Sequence, residues 1–146
     1  MRNNIINVVG GLIIKNQKLL ICQRTKNKDH GLKWEFPGGK IEDKETKEIA
    51  LTREIQEELS ITIQNYSFLT DYFYTYKDLD KHIHLNFYLI SKYKGEIKNN
   101  LHNNLNWIEK EDLPSYDFLD GDKKIIDQII NNAVSYTHLT LPTIVS

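Results

Sequence analysis

Apolar residues recur along this chain with two different periods, and each period predicts one type of element. Residues 5–14 (IINVVGGLII) and 18–24 are rich in β-branched and other apolar side chains, and the polar residues between them predict a β-hairpin. A period of two predicts a strand at residues 82–92, with alternate apolar positions at Ile83, Leu85, Phe87 and Leu89. Further strands are predicted at residues 34–36, 62–69, 71–76 and 105–109.

Two other segments repeat apolar residues every three or four positions, which predicts helices. They are residues 46–59 and 123–132, with apolar stripes at Leu51, Ile55 and Leu59 and at Ile125, Ile126, Ile129 and Ile130. Polar residues 25–33 predict a loop, and residues 78–81 predict a turn. Because strands dominate and the helices must pack on them, the predicted fold class is α+β.

Three acidic residues stand beside the apolar stripe of the first predicted helix. Glu54, Glu57 and Glu58 are spaced at i, i+3 and i+4, so a helix gathers them on one face. Like charges at this spacing repel by roughly a few tenths of a kcal/mol per pair, and a bound cation would offset that repulsion. Converging carboxylate oxygens suit a hard divalent ion such as Mg²⁺ or Mn²⁺. The competing interpretation is an acidic helix face exposed to solvent.

Composition excludes several other classes of protein. Nineteen basic and twenty acidic side chains leave a formal charge of −1, so no strong field attracts a nucleic acid polymer or a membrane. A single cysteine, Cys22, excludes an internal disulfide and a cysteine zinc cluster, and we expect it in the core. No apolar run is long enough for a membrane span, so we expect a cytoplasmic protein. A chain of 146 residues fits one domain.

The last residues differ in composition from the rest. From Val134 onward, the sequence VSYTHLTLPT contains no Lys, Asn or Asp and resembles the translation of a sequencing adapter. We therefore expect the domain to occupy residues 1–133, with residues 134–146 a non-native or disordered tail. The alternative is a genuine strand or loop.

Residues 39–61 (GKIEDKETKEIALTREIQEELSI) resemble the Nudix box, G-x5-E-x7-R-E-U-x-E-E-x-G-U, in which U is a bulky aliphatic residue. The fixed positions that match are Gly39, Glu45, Arg53, Glu54, Glu57 and Glu58, and both U positions are isoleucines. Only the second glycine differs, since Ser60 stands there. The flanks WEFPGGKIE, HIHLNFYL and NWIEKEDLPSYDFLDGDKKII are similar to the MutT branch. The resemblance implies a mixed β-sheet between helices in an α/β/α arrangement.

The same resemblance implies a metal-dependent hydrolase. MutT-like enzymes cleave a nucleoside triphosphate, in some cases the oxidised 8-oxo-dGTP, to a monophosphate and pyrophosphate. Two alternatives stay open: a Nudix hydrolase of another nucleoside diphosphate derivative, and a Nudix-fold module that binds nucleotides without cleaving them. The chain is expected to act as a monomer or homodimer.

Family roles transfer to the matching positions of this chain. Glu54, Glu57 and Glu58, with the carbonyl of Gly38, are the implied ligands of Mg²⁺ or Mn²⁺, and Glu57 is the first choice as the indispensable one. One of these glutamates, or a water that they orient, is the implied base. Arg53 belongs to the catalytic set as a structural partner of Glu45, which we favour over direct phosphate binding.

Six positions are implied in substrate binding: Arg24, Phe36, Gly38, Gly39, Lys40 and Asp122. Arg24 corresponds to a family arginine at the nucleotide, although an exposed arginine at a strand end is an equal alternative. Lys40 contacts a phosphate or is a plain surface lysine. Asp122 corresponds to the residue that reads the edge of the base, and it also suits the N-cap of the last helix.

One departure from the MutT pattern affects the mechanism. Leu101 stands where relatives usually carry a glutamate that serves some of them as a metal ligand or base, and His102 follows it. Glu96 or His102 could substitute, but an exposed loop residue is the favoured interpretation of each. His82 and His84 are expected on the sheet surface, because no third metal ligand lies near them in sequence. The tyrosines Tyr72, Tyr74 and Tyr76 either stack on a base or, more commonly for such residues, pack.

Overall fold

The computed structural model describes residues 4–131 of the chain. Residues 4–131 form seven strands: β1 (Ile5–Lys15), β2 (Lys18–Gln23), β3 (Trp34–Glu35), β4 (Gly38–Lys40), β5 (Thr62–Tyr76), β6 (Lys81–Lys94) and β7 (Asn104–Ile108). The same described residues form two α-helices, α1 (Lys47–Leu59) and α2 (Lys123–Ile130), and two 3₁₀ helices at Lys110–Ser115 and Asp120–Asp122. The predicted hairpin and both predicted helices are confirmed.

The strands form one mixed sheet around β1. The main path runs β3-β2-β1-β6-β5, while β4 pairs with β1 and β7 pairs with β2. β1 and β6 are parallel, in register from Ile5 opposite His82 to Ile13 opposite Ile90. All other strand pairs named here are antiparallel. The mixed sheet with helices confirms the α+β class.

The two helices cover opposite faces of the sheet. Successive residues of a strand point to opposite sides, so Ile13 packs in the cluster that contains α1 while Leu12 packs in the cluster that contains α2. The apolar stripes predicted for the helices fill these clusters: Leu51, Ile55 and Leu59 on one side, and Ile125, Ile126 and Ile129 on the other. Cys22 is buried, as expected, and burial raises the pKa of its thiol.

Residues 62–69 and 71–76, predicted as two strands, form the single strand β5. Its pairing with β6 has register shifts between Ile63 and Asn65, between Asn65 and Tyr66, and between Phe68 and Thr70. A β-bulge inserts a residue and changes which face the next side chains occupy, without ending the ladder. The break in the apolar pattern therefore marks a bulge and not a turn.

The ends of α1 explain where this helix begins and ends. The hydroxyl of Thr46 accepts a hydrogen bond from the N–H of Ile49 at 3.1 Å, which satisfies one free donor of the first turn. Ser60 ends the helix in the left-handed region, with φ 61° and ψ 31°. A serine there costs about 1 kcal/mol relative to glycine, so this departure from the box leaves the backbone path unchanged.

The proposed tail from residue 134 onward lies outside the described residues. Within residues 4–131, no helix has both the length and the apolar character that crossing a membrane requires.

Candidate active site

A cavity of about 390 Å³ opens between β1, β4 and the carboxylate face of α1. Gly38, Gly39, Lys40, Glu54 and Glu58 line one end of it. The other end is mainly apolar and is lined by Phe36, Ile83, Leu85, Phe87 and Leu119, together with Asp122. The cavity therefore combines an acidic end with an apolar, aromatic end.

The two glycines of β4 let the helix approach the sheet closely. Gly38 has a φ of 152°, and a Cβ there would overlap the carbonyl oxygen of Val9. A Cβ on Gly39 would lie within 2.5 Å of both carboxylate oxygens of Glu54. A side chain at residue 39 would fill the space that the Glu54 carboxylate occupies, whereas one at residue 38 would collide with the backbone of β1.

Glu54 and Glu58 form a close carboxylate pair at this end. Glu58 is only 4% exposed, and its Oε1 accepts a hydrogen bond from the N–H of Gly38 at 3.4 Å. Burial, followed by the neighbouring Glu54 and by Glu35, raises the pKa of Glu58 to about 9. Without a cation, the pair disfavours full ionisation, because like charges in a poorly solvated site repel. A bound cation would remove that repulsion.

Arg53 ties the box loop to the helix. Its Nε and Nη2 donate to the two carboxylate oxygens of Glu45 at 2.6 and 2.9 Å, and its Nη2 also donates to the carbonyl of Lys40 at 3.0 Å. Its Nη1 donates to Glu54 at 3.0 Å. The hydrogen bonds with Arg53 lower the pKa of Glu45 to about 2 and raise the pKa of the guanidinium above its ordinary value. The arginine and Glu45 thus form the structural pair that the box implies.

Glu57 is placed differently from its two neighbours. Its side chain is 59% exposed and accepts only a long contact from Nη1 of Arg53, at 3.4 Å. It does not line the cavity that Glu54 and Glu58 line. The structure therefore brings two of the three predicted carboxylates together and leaves the third on the solvent side.

Asp122 lies at the apolar end, held against Phe36. Its Oδ2 accepts a hydrogen bond from the N–H of Phe36 at 3.2 Å. Burial, and then the charge of Glu35, raises the pKa of Asp122 to about 8. Asp122 is the N-cap residue of α2, as the alternative interpretation held, but its side chain makes no capping hydrogen bond there. The carboxyl group faces β3 and the cavity instead.

Aromatic side chains support this end of the cavity. Phe36 stacks on Phe118 with ring centroids 5.6 Å apart and meets Phe87 edge-on at 6.3 Å. The hydroxyl of Tyr72 donates to the carbonyl of Gly121 at 2.6 Å, and that of Tyr76 accepts from the N–H of Gly121 at 2.7 Å. Both buried tyrosines pack, as favoured, and they position the turn that carries Asp122.

Arg24 also faces the cavity, and it is paired. Its Nη1 donates to Oε1 of Glu35 at 3.0 Å, and its Nε donates to the carbonyl of Asp29 at 2.9 Å. The side chain is 20% exposed, so the alternative of an exposed strand-end arginine is wrong. Burial raises the pKa of Glu35, and Arg24 opposes that shift. Lys40 is exposed and lines the cavity rim.

Comparison with known proteins agrees with the site geometry. Residues 6–129 match the family model of the NUDIX domain. The chain belongs to the NUDIX domain family. It is 35% identical over 123 residues to an "8-oxo-dGTP diphosphatase" of Buchnera aphidicola subsp. Schizaphis graminum, covering 84% of this chain and 92% of that protein. It is 29% identical over 122 residues to a "CTP pyrophosphohydrolase" of Escherichia coli, covering 84% and 89%.

Solved structures agree on the Nudix fold. The crystal structure of a MutT NUDIX hydrolase from Burkholderia pseudomallei superposes with a TM-score of 0.79 at 26% identity. The match covers 86% of this chain and 98% of the other. The MutT resemblance of the sequence and the expected Nudix fold are therefore confirmed.

Nudix hydrolases generally require a divalent metal, and the donor set of this chain fits one. Glu54 and Glu58 supply hard carboxylate oxygens, and the close packing at Gly39 brings Glu54 against β4. Among residues 4–131, no group of three His, Cys, Asp or Glu side chains is gathered as a metal cage. Two carboxylates and carbonyl oxygens leave coordination positions for water and substrate, as Mg²⁺ sites usually do.

His102 is a site residue that the sequence pattern did not predict. It was expected to be exposed, but its side chain is 3% exposed and its Nε2 lies 3.0 Å from Oε1 of Glu58. Burial, followed by Lys28 and Arg24, lowers the pKa of His102 to about 4. Leu101 is 42% exposed and Glu96 is exposed, as expected. The sequence did offer one signal for this residue: His102 directly follows Leu101, the position where relatives usually carry a glutamate.

Glu35 was also missed, although it lies within the quoted WEFPGGKIE flank. It stands between Arg24 and His102, with its Oε2 3.9 Å from Nδ1 of the imidazole. The paired histidines of β6 are on the surface, where Nε2 of His84 lies 2.6 Å from Asp71.

Proposed function

We propose that this Nudix chain hydrolyses a nucleoside triphosphate to a nucleoside monophosphate and pyrophosphate, using Mg²⁺ or Mn²⁺. The observation that carries the proposal is the Glu54–Glu58 pair, with Glu58 buried, beside Gly38 and Gly39 at one end of a cavity whose other end holds Phe36. A triphosphate needs cations at its charged end and a nucleobase needs an apolar surface, and the lining of this cavity supplies both kinds of surface. The similarity to an 8-oxo-dGTP diphosphatase supports 8-oxo-dGTP as a substrate.

Glu54, Glu58 and the carbonyl of Gly38 would hold the cation, with Glu57 joining from the solvent side. When bound, the cation supplies charge neutralisation at the phosphates and lowers the pKa of a bound water. The chain itself orients these oxygens, and a glutamate of the set or a water that it orients accepts the proton of the attacking water. Arg53 acts by positioning Glu54 and the loop.

The substrate would be held at three places. Lys40 at the rim and Arg24 deeper in the cavity supply positive charge for phosphate oxygens. Backbone of Gly38 and Gly39 borders the same end. Phe36 offers the apolar surface for the base, and Asp122, protonated at neutral pH because of its raised pKa, can donate an O–H to an acceptor on the base.

Two alternatives are favoured by specific observations. Similarity to a CTP pyrophosphohydrolase supports a pyrimidine triphosphate as substrate. Leu101, in place of the usual glutamate, supports a module that binds nucleotides without cleaving them, although all four box glutamates are retained.

Pyrophosphate release from 8-oxo-dGTP, dGTP and CTP, each with Mg²⁺, with Mn²⁺ and with EDTA, tests the proposal. We expect cation-dependent release of pyrophosphate and a monophosphate from at least one of them. Preference for CTP would select the pyrimidine alternative. Nucleotide binding with no cleavage of any of the three would overturn the proposed activity in favour of the binding module.

A further inference from the structure

Residues 98–102, the segment that carries His102, pack on the C-terminal end of α1. The N–H of Lys98 donates to the carbonyl of Leu59 at 2.9 Å, and the N–H of Asn100 donates to the carbonyl of Glu58 at 3.0 Å. These carbonyls belong to the last turn of α1, where the C=O groups have no hydrogen-bond donor within the helix. The segment therefore completes the helix end and is held at a set distance from Glu58.

Asparagine side chains fix the segment from within. Oδ1 of Asn99 accepts the N–H groups of Leu101 and His102 at 3.3 and 2.8 Å, and its Nδ2 donates to the carbonyl of His102 at 2.8 Å. Nδ2 of Asn100 donates to the carbonyl of Glu57 at 3.1 Å and to the hydroxyl of Ser60 at 2.8 Å. Asn99 is exposed and does not line the cavity, so its contacts serve only the shape of this segment.

The buried imidazole of His102 contacts the buried carboxylate of Glu58. Nε2 lies 3.0 Å from Oε1 of Glu58, whereas Nδ1 is 3.9 Å from Oε2 of Glu35, beyond hydrogen-bond distance. Metal binding requires Glu58 as a carboxylate, and a neutral imidazole must then donate its Nε2–H to it. Gly38 donates to the same oxygen, so the backbone N–H and the imidazole both contact the Glu58 carboxylate at Oε1, while the Glu54 carboxylate lies beside it.

We propose that His102 is a positioning residue that holds the Glu58 carboxylate in its cation-binding orientation by donating Nε2–H to Oε1. The inference rests on the proposed function, in which Glu58 is a ligand of the cation. Leu101, next to it, carries no polar group, so in this chain the segment acts on the site through the imidazole. Loss of a partner that orients a metal ligand typically lowers metal affinity or activity by about 10- to 100-fold.

The test compares His102→Leu with His102→Gln in the full chain. Leucine removes the donor at similar volume, while the glutamine amide can still donate to Oε1. We expect His102→Leu to weaken Mn²⁺ binding, measured by calorimetry without nucleotide, by about 10- to 100-fold and to lower kcat by a similar factor. KM at saturating Mn²⁺ should change by less than about threefold. His102→Gln should keep Mn²⁺ affinity clearly closer to wild type than His102→Leu, with a loss well below about tenfold.

Two further variants separate positioning from folding. His82→Leu, at a surface histidine outside the cavity, should leave Mn²⁺ affinity and kcat unchanged. Asn99→Ala keeps the imidazole but loosens its segment, and it should weaken Mn²⁺ binding in the same direction as His102→Leu. If His102→Leu unfolds, the comparison rests on His102→Gln and Asn99→Ala.

Unchanged Mn²⁺ affinity in folded His102→Leu would overturn the inference, as would equal losses in His102→Leu and His102→Gln. A wild-type chain that binds Mn²⁺ but releases no pyrophosphate would defeat the proposed activity alone, because the affinity comparison still reports on Glu58. A wild-type chain that binds no Mn²⁺ would overturn both.

Discussion

Gly39 and Glu54 occupy adjoining space, so that a Cβ on the glycine would lie within 2.5 Å of both carboxylate oxygens of the glutamate. Gly39 does not have a positive φ, in contrast to Gly38. The absence of a side chain at residue 39 is therefore required by the neighbouring carboxylate and not by the backbone conformation.

Gly39→Ala should consequently impair the site while preserving the fold. The added methyl group must displace the Glu54 carboxylate, and a shift of about 1 Å in a catalytic group can cost about a hundredfold in rate. We expect a drop of that order in kcat, with circular dichroism unchanged. Wild-type kcat in Gly39→Ala would mean that Glu54 can move without consequence.

Glu58→Gln and Glu57→Gln should differ in severity, because only Glu58 is buried in the cavity. Loss of a ligand that supplies several kcal/mol of charge stabilisation lowers kcat by roughly a thousandfold. We expect this loss for Glu58→Gln and a smaller one for the exposed Glu57→Gln, measured as pyrophosphate release at saturating Mg²⁺. The opposite order would restore Glu57 to the leading place that the box pattern suggested.

The Glu45–Arg53 pair should make the fold sensitive to acid. The folded pKa of Glu45 is about 2, below its ordinary value of 4.5, so the unfolded chain binds the proton more readily. This contribution to stability is present above pH 4.5 and is lost as the pH falls towards 2. Urea unfolding midpoints between pH 5 and pH 3 should fall less steeply in Glu45→Gln than in wild type.

Glu111→Gln is the matched control for that series. Glu111 is an exposed carboxylate of the first 3₁₀ helix, so the substitution removes the same charge elsewhere on the surface. A wild-type slope in Glu111→Gln and also in Glu45→Gln would show that the Arg53 pair does not govern acid stability.

Asp122 should have the opposite pH dependence. Its folded pKa of about 8 lies above its ordinary value of 3.8, so the folded chain holds a proton that the unfolded chain releases. Stability contributed by this group therefore declines as the pH rises from about 4 to about 8. Asp122→Asn removes this decline and keeps an oxygen that can accept the N–H of Phe36. Its unfolding midpoint should gain on wild type between pH 6 and pH 8.5, whereas a constant difference would contradict the assignment.

Local patterns of apolar residues predicted several of the helices and strands. The 3.6-residue stripe of Leu51, Ile55 and Leu59 predicted α1, and the period of two in residues 82–92 predicted β6. Both work because one buried face imposes its repeat on neighbouring residues. The bulges in β5 broke that repeat without breaking the strand, so the sequence pattern predicted two strands where the structure has one.

The spacing within the box determined, from the sequence alone, that Arg53, Glu54, Glu57 and Glu58 share one helix, because side chains three and four positions apart lie on the same face. Gly39, expected in a loop, belongs to β4 instead. Which carboxylates face the cavity, and which partners they meet, was decided by tertiary structure. His102 reaches Glu58 across 44 positions of sequence, and Asp122 reaches Phe36 across 86. No local period records such contacts, because they arise only when the sheet, the helices and the loop between β6 and β7 pack together and remove these groups from water.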